Sequence, residues 1–153
     1  MKKTSPEPIH VWLLMLRASQ SITRYAAADI RKAGLGESDF RVLEVLLHKG
    51  SLPVNAIGPK VNLNPGSISV AVDRLYKKGL VSRVENPEDR RIRTVALAQS
   101  GKNLILPIFK RHCALMKHVF SDLSPDELTS LADFARRAGI RAEALFEAEH
   151  LET

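Results

Sequence analysis

The sequence predicts a mainly α-helical fold of the α+β class, in which one small β-hairpin interrupts a series of helices. Apolar residues recur at helical spacing over most of the 153 residues. Two short runs rich in β-branched residues flank one charged turn, and helix-capping signals separate the remaining segments. The length fits a single domain with a sizeable core.

The first predicted helix spans residues 9–33 and has an apolar stripe wider than one buried face needs. The stripe is widened by Val11, Leu14 and Met15. A helix that is apolar on more than one side usually packs against two surfaces. A second helix is predicted at residues 38–50, with Ser38 as its N-cap and Gly50 at its end.

Two short helices follow, joined by a tight link. Residues 52–64 predict the first of them, and the Gly-Pro pair at 58–59 predicts a kink or an early stop, because proline removes a backbone donor. The next helix is capped by Asn64, starts with Pro65 and ends at Gly79. Its predicted buried stripe consists of Ile68, Ala71, Val72 and Leu75.

The rest of the chain predicts a β-hairpin and two more helices. Residues 80–85 and 92–97 are the two strands, and helix resumes after Gly101. Ser124 and Glu127 form a capping box for a last helix that ends near Leu145.

This order of elements describes a winged helix-turn-helix with N- and C-terminal dimerisation helices. The outer helices hold more apolar surface than such a small unit needs, which is typical of a dimer interface. We therefore predict an N-terminal dimerisation helix at residues 1–33, a winged lobe at 34–98, and C-terminal dimerisation helices at 99–153. The three parts form one intertwined domain.

The charge of the chain is unevenly placed. Its net charge is +6, and residues 62–111 hold ten Lys and Arg against four Asp and Glu. Within positions 85–93 stand Glu85, Glu88, Asp89, Arg90, Arg91 and Arg93. A plain hairpin turn uses Gly, Asn or Asp and has no need of three arginines. The turn is therefore predicted to contact a polyanion.

Several classes of protein and site are excluded. The single cysteine, Cys113, allows neither an internal disulfide nor a cysteine-based zinc finger, and it fits a reducing cytoplasm. The apolar run at residues 11–16 is shorter than the roughly 20 residues that cross a bilayer. No catalytic triad, phosphate loop, carboxylate pair or metal-ligand spacing stands out, so we predict no enzyme, cofactor, metal site or membrane partner.

The most specific stretch is GSISVAVDRLYKKGLVSRVENPEDRRIRTVALAQSGKNLI, which resembles the MarR family of transcriptional regulators. It matches that family's recognition helix and its wing motif, here Asp89, Arg91, Leu97 and Gly101. The resemblance covers about residues 9–146. It implies a homodimer that binds double-stranded DNA at a palindromic operator, most simply as a ligand-responsive repressor. The alternatives are an architectural or nonspecific DNA-binding protein without an effector pocket, and an interaction module that no longer contacts DNA.

The predicted DNA contacts lie on two elements. With the apolar stripe buried, the recognition helix offers Pro65, Gly66, Ser67, Ser69, Val70, Asp73, Arg74 and Lys77. Asp73 either pairs with Lys77 or accepts from a cytosine amine. The resemblance implies that Arg91 enters the minor groove and that Asp89 holds the wing in shape, while Arg90 and Arg93 are placed for phosphates.

The resemblance also implies a small aromatic or phenolic effector, bound between the helical dimer region and the DNA-binding lobe. The candidate pocket residues are Trp12, Arg17, Tyr25 and His48.

Overall fold

The computed structural model describes residues 5–85 and 93–150, with only the backbone of Glu85 and Arg93. In chain order its elements are α1 (Pro8–Lys32), α2 (Glu37–Lys49), β1 (Leu52–Pro53), α3 (Val54–Val61), α4 (Pro65–Lys77), β2 (Val81–Glu85), β3 (Arg93–Leu97), α5 (Gln99–Val119) and α6 (Pro125–His150). The mainly helical fold with one small antiparallel sheet confirms the predicted fold class.

The chain divides into two compact units, residues 1–115 and 116–153. The core of the first unit is built by the end of α1, by α2, α3 and α4, by the sheet and by the first half of α5. The predicted stripe of α4 is confirmed, since all four of its residues are buried: Ile68, Ala71, Val72 and Leu75. Burying each of the larger side chains contributes about 1.5–3 kcal/mol. This packing fixes which face of α4 points away from the core.

The sheet has the strand order β1-β3-β2, and both pairings are antiparallel. Val95 at the centre of β3 lies opposite Leu52 on one side and Arg83 on the other. The predicted helix start at residue 52 is therefore wrong, because Leu52 and Pro53 form a short edge strand before α3 begins. An edge strand tolerates proline, since its missing N–H faces away from the ladder.

The ends of the helices confirm some predicted caps and correct another. Asn64 caps α4 by accepting a hydrogen bond from the backbone N–H of Ser67 at 2.8 Å. Ser38 does not cap α2, which begins at Glu37 after the extended backbone of Gly36. The hydroxyl of Ser38 instead accepts a hydrogen bond from Arg74.

The Gly-Pro pair does not stop α3. Pro59 lies inside the helix, which continues to Val61 and ends in the left-handed backbone of Asn62. Of the two predicted outcomes, the stop at this pair is wrong and the kink stays a prediction, because proline still removes one donor from the helix.

The capping box of α6 is confirmed in both directions. The backbone N–H of Ser124 donates to Glu127 at 2.8 Å, and the backbone N–H of Glu127 donates to the Ser124 hydroxyl at 3.3 Å. The helix runs on to His150, beyond the predicted end near residue 145.

Gly101 fixes the approach of α5 to the strand that begins the hairpin. It is buried, and a Cβ at this position would overlap the backbone carbonyl of Leu80. The same carbonyl accepts a hydrogen bond from the N–H of Ala98 at 3.1 Å. Only glycine allows the two backbone segments to lie this close. The start of α5 is thereby tied to the entry of β2.

Candidate nucleic-acid interface

The first turns of α4 present small groups outside the core. Pro65, Gly66, Ser69 and Val70 are exposed, and Ser67 is half-buried. Val70 is an apolar side chain with 59% of its surface exposed. The hydroxyl of Ser69 donates to the carbonyl of Pro65 at 3.1 Å, which leaves its oxygen as an outward acceptor. Small exposed hydroxyl and methyl groups are the kind that the predicted major-groove contact uses.

Arg74, also predicted to contact DNA, is held by its own protein. Its Nε donates to the two carboxylate oxygens of Asp39 at 3.0 and 2.9 Å, and its Nη2 donates to Oδ1 at 2.6 Å. Nη2 also donates to the Ser38 hydroxyl at 3.2 Å. The hydrogen bonds to Asp39 and the negative charge of its carboxylate raise the pKa of Arg74 above its ordinary value. Arg74 thus joins α4 to α2. Only the exposed edge of its guanidinium is accessible for the predicted DNA contact.

Asp73 and Lys77 lie on the exposed side of α4. Asp73 accepts a hydrogen bond from Nη2 of Arg83, which comes from β2. The guanidinium carbon of Arg83 lies 5.0 Å from the ring centroid of Tyr76. Neither Arg83 nor Tyr76 was predicted as a site residue, because a pairing across ten residues and two elements leaves no local signal in the sequence.

A groove of about 790 Å³ runs between α3, α4 and β2. Its lining includes Pro59 and Asn62 from α3 and the turn after it, Ser69 and Asp73 from α4, and Arg83 from β2. The exposed face of α4 therefore continues into a concave surface instead of ending at a flat one.

The predicted wing tip lies between the end of β2 and the start of β3. Glu85 pairs with Arg93 at the last described rung of the ladder. Of the predicted wing residues, Asp89, Arg90 and Arg91 lie outside the described residues, and so does the side chain of Arg93. Their roles stay predictions.

The predicted pocket residues are not brought together along α1. Trp12, Arg17 and Tyr25 are all exposed. Thirteen residues of helix place Trp12 and Tyr25 about 20 Å apart along the axis and on different sides, so a single-ring ligand cannot contact both in one protomer. His48 packs edge-on against Phe109, with ring centroids 4.7 Å apart. None of these four residues lines the groove beside α4 or a second groove of about 390 Å³ along α1.

The chain is similar in sequence and in fold to known proteins. The MarR family model matches residues 35–92. The chain is 35% identical over 135 residues to the HTH-type transcriptional regulator MhqR of Bacillus subtilis (strain 168), a match that covers 88% of this chain and 93% of the relative. The chain belongs to the MarR family.

Two solved structures share the fold of this MarR family protein. A mutant MarR from E.coli complexed with operator DNA has a TM-score of 0.76 at 21% identity, covering 85% of this chain and 94% of that one. Bordetella bronchiseptica BpsR, whose DNA binding is regulated by 6-hydroxynicotinic acid, has a TM-score of 0.76 at 22% identity, covering 85% and 98%.

Family membership makes the protein a DNA-binding transcriptional regulator and not an enzyme. Within residues 5–85 and 93–150, no group of three or more His, Cys, Asp and Glu side chains is arranged to hold a metal ion. Cys113 is a free, half-buried thiol. No helix in the described ranges is long and apolar enough to cross a membrane.

Proposed function

We propose that this MarR family protein acts in the cytoplasm as a homodimeric repressor of a palindromic operator, from which a small aromatic or phenolic ligand releases it. The observation that carries the proposal is the two-sided character of α4. One side is buried in the core, and the other exposes Ser69 and Val70 beside the exposed Lys77. In this reading, α4 enters the major groove and the wing reaches the adjacent minor groove.

Two substitutions on α4 distinguish recognition of bases from electrostatic attraction to the phosphates. Val70→Ala removes the methyl groups that fit a thymine methyl, so it should change the preference at one base pair by about 1 kcal/mol and leave the salt dependence unchanged. Lys77→Ala should weaken binding to all duplexes alike and lower the slope of log K against log salt by about one ion.

The measurement is selection of bound duplexes from a random pool, followed by binding curves at several salt concentrations. A short protected palindrome supports a regulator. Uniform coating of any duplex contradicts the proposal and supports an architectural protein instead.

The wing substitutions rest on the family resemblance. Arg91→Ala should weaken operator binding by about 1–3 kcal/mol, with a larger loss where the flanks are A·T-rich. Arg90→Ala and Arg93→Ala should weaken all duplexes alike. If Asp89 orders the hairpin, Asp89→Ala binds less well despite its added positive charge. Wild-type affinity of Arg91→Ala on the true operator, at near-physiological salt, removes the wing from the mechanism.

The homodimer is supported by unburied apolar surface on the outer helices. Between residues 9 and 16, α1 exposes Ile9, Val11, Trp12, Leu14, Met15 and Leu16. Within its own chain, α6 has no buried residue, although it exposes Leu131 and Phe134 at helical spacing. Apolar surface of this extent marks an interface, and isologous pairing of two copies covers the same surface on both.

Light scattering at micromolar concentration should therefore report a dimer. The double substitution Leu131→Glu and Phe134→Glu should give a monomer, because it places four charges in the twofold interface. Val84→Glu, at an equally exposed apolar residue of β2, is the control and should stay dimeric. A stable wild-type monomer contradicts the assembly.

The expected spacing of the operator half-sites follows from the distance between the recognition helices of the dimer. Two recognition helices of a dimer lie about 34 Å apart, so half-sites should be centred roughly 10 bp apart. Insertion of half a helical turn between them should abolish tight binding, whereas insertion of a whole turn keeps both half-sites on one face of the duplex.

Ligand release is supported by the family resemblance and by the regulation of BpsR by an aromatic acid. A panel of phenolic acids and quinones should contain at least one compound that raises the melting temperature and weakens operator binding. Cys113→Ser should keep the response. A panel without effect on either quantity contradicts the ligand switch, and a response lost in Cys113→Ser shows that the thiol takes part.

A further inference from the structure

Two side chains join the recognition helix to the strand that leads into the wing. Asp73 on α4 accepts a hydrogen bond from Nη2 of Arg83 on β2, and the Arg83 guanidinium lies over the ring of Tyr76. Asp73 is 56% exposed, whereas Arg83 is only 24% exposed. The carboxylate therefore faces outward and the arginine reaches it from the protein side.

The charge of Asp73 opposes the proposed function unless it is compensated. A carboxylate on the DNA-facing side of α4 is repelled by the phosphates of the duplex. An arginine in direct contact cancels most of that field and fixes the direction of the carboxylate. Arg83 supplies such a charge without occupying the outer surface itself.

The origin of Arg83 ties this pair to the wing. It lies two residues before the end of β2, opposite Val95 in the register. Its Nε–H is buried and has no hydrogen-bond partner among the described residues, so this donor is shielded from a phosphate. Held at Asp73 and Tyr76, the side chain links β2 to two successive turns of the exposed side of α4.

We propose that Arg83 is a positioning residue for operator recognition. It acts through Asp73, whose charge it neutralises and whose direction it sets, and it holds the wing strand against α4. It does not contact DNA. This inference rests on the proposed function, because it assigns a role within operator binding by α4 and the wing.

A double-substitution cycle on the selected operator tests it. Arg83→Gln should weaken operator binding about tenfold when residue 73 is Asp. In the Asp73→Asn background the same change should cost less than about twofold, since no carboxylate is then left to unmask. The slope of log K against log salt should stay unchanged in both backgrounds, because no phosphate contact is lost.

Arg83→Lys is the second variant and guards against loss of folding in Arg83→Gln. It keeps the positive charge, so it should recover most of the affinity and show the same dependence on residue 73. The matched control is an exposed ion pair away from α4, Arg31–Glu37, whose atoms lie 3.4 Å apart. Arg31→Gln and Glu37→Gln should leave operator binding and its salt dependence unchanged.

Two outcomes overturn the inference while the proposed function stands. One is an equal loss in both backgrounds with a slope lowered by about one ion, which identifies Arg83 as a direct phosphate contact. The other is wild-type affinity of folded Arg83→Gln. A wild-type protein that binds all duplexes alike overturns the proposed function itself, and the positioning role falls with it.

Discussion

Removal of the Arg74 side-chain charge should destabilise the winged lobe, and the contacts of Asp39 set the size of the effect. The Asp39 side chain is 2% exposed and accepts hydrogen bonds from two nitrogens of Arg74. Arg74→Met keeps an unbranched side chain about as long as the aliphatic stem of arginine and removes the charge. The buried carboxylate then loses its partner, which is the costly part of breaking such a pair.

The magnitude follows from burial on the two sides of the pair. Loss of one partner of a fully buried pair costs about 3–5 kcal/mol. Arg74 is 41% exposed, so water can take its place beside Asp39 and reduce the penalty. We expect a loss of about 2–3 kcal/mol for Arg74→Met, and a coupling of about 1–2 kcal/mol when it is combined with Asp39→Asn.

The assay is urea unfolding followed by circular dichroism at several protein concentrations, because dimerisation raises apparent stability by mass action. Arg31→Met is the matched control, since its ion pair with Glu37 is exposed on both sides. It should change the free energy of unfolding by less than about 1 kcal/mol. A loss below about 0.5 kcal/mol for Arg74→Met, or strict additivity with Asp39→Asn, refutes this account of the pair.

Three further predictions concern helix positions. Gly101→Ala should lower the free energy of unfolding, measured by thermal unfolding, by about 1–3 kcal/mol, because the new Cβ overlaps the backbone of Leu80. Gly139→Ala, with nothing within 4 Å of the new Cβ, should instead stabilise α6 by about 0.5–1 kcal/mol. Equal effects of the two substitutions contradict the overlap at Gly101. Asn64→Ala should cost about 1 kcal/mol and Asn64→Asp much less, since aspartate also caps; equal losses contradict the capping role. Hydrogen bonds from the backbone N–H and hydroxyl of Ser124 lower the pKa of Glu127 from its ordinary 4.5. The stabilisation of α6 by this cap is thus present above pH 4.5 and lost as the pH falls through the lowered pKa. A pKa of 4.5 or above for Glu127, measured by NMR titration, contradicts this prediction.

The sequence predicted α4 best because everything that defines this helix is local. The cap, the proline at the first helical position and the four buried apolar residues lie between Asn64 and Leu75, where helical periodicity is directly visible. The two-residue strand β1 was missed because its pairing with β3 spans more than forty residues and leaves no pattern of its own. A two-residue strand is too short to show the alternation of apolar and polar residues by which strands are predicted.

The ion pairs of α4 were missed for the same reason. The partner of Arg74 lies 35 residues earlier in the chain, and that of Asp73 lies ten residues later on another element. Charged residues on an exposed helix face are equally compatible with solvent, DNA or a protein partner. Only the packing of α2 and β2 against α4 decides between them.

The two pairs together limit how a ligand can act. Asp73 and Arg74 are adjacent, so their side chains leave α4 about 100° apart, one toward β2 and the other toward α2. With α4 tied on two sides, reorientation of this helix inside its lobe would break both pairs. We therefore expect a ligand to change the distance between the two recognition helices of a dimer and to leave each lobe intact.

Spin labels on a Cys113→Ser background test this expectation. A label at Lys77 in both protomers should report a distance change with ligand, while a pair of labels at Lys77 and Val84 within one protomer should not. A changed distance within the lobe would show that the two ion pairs do not hold α4 and the wing strand as one body.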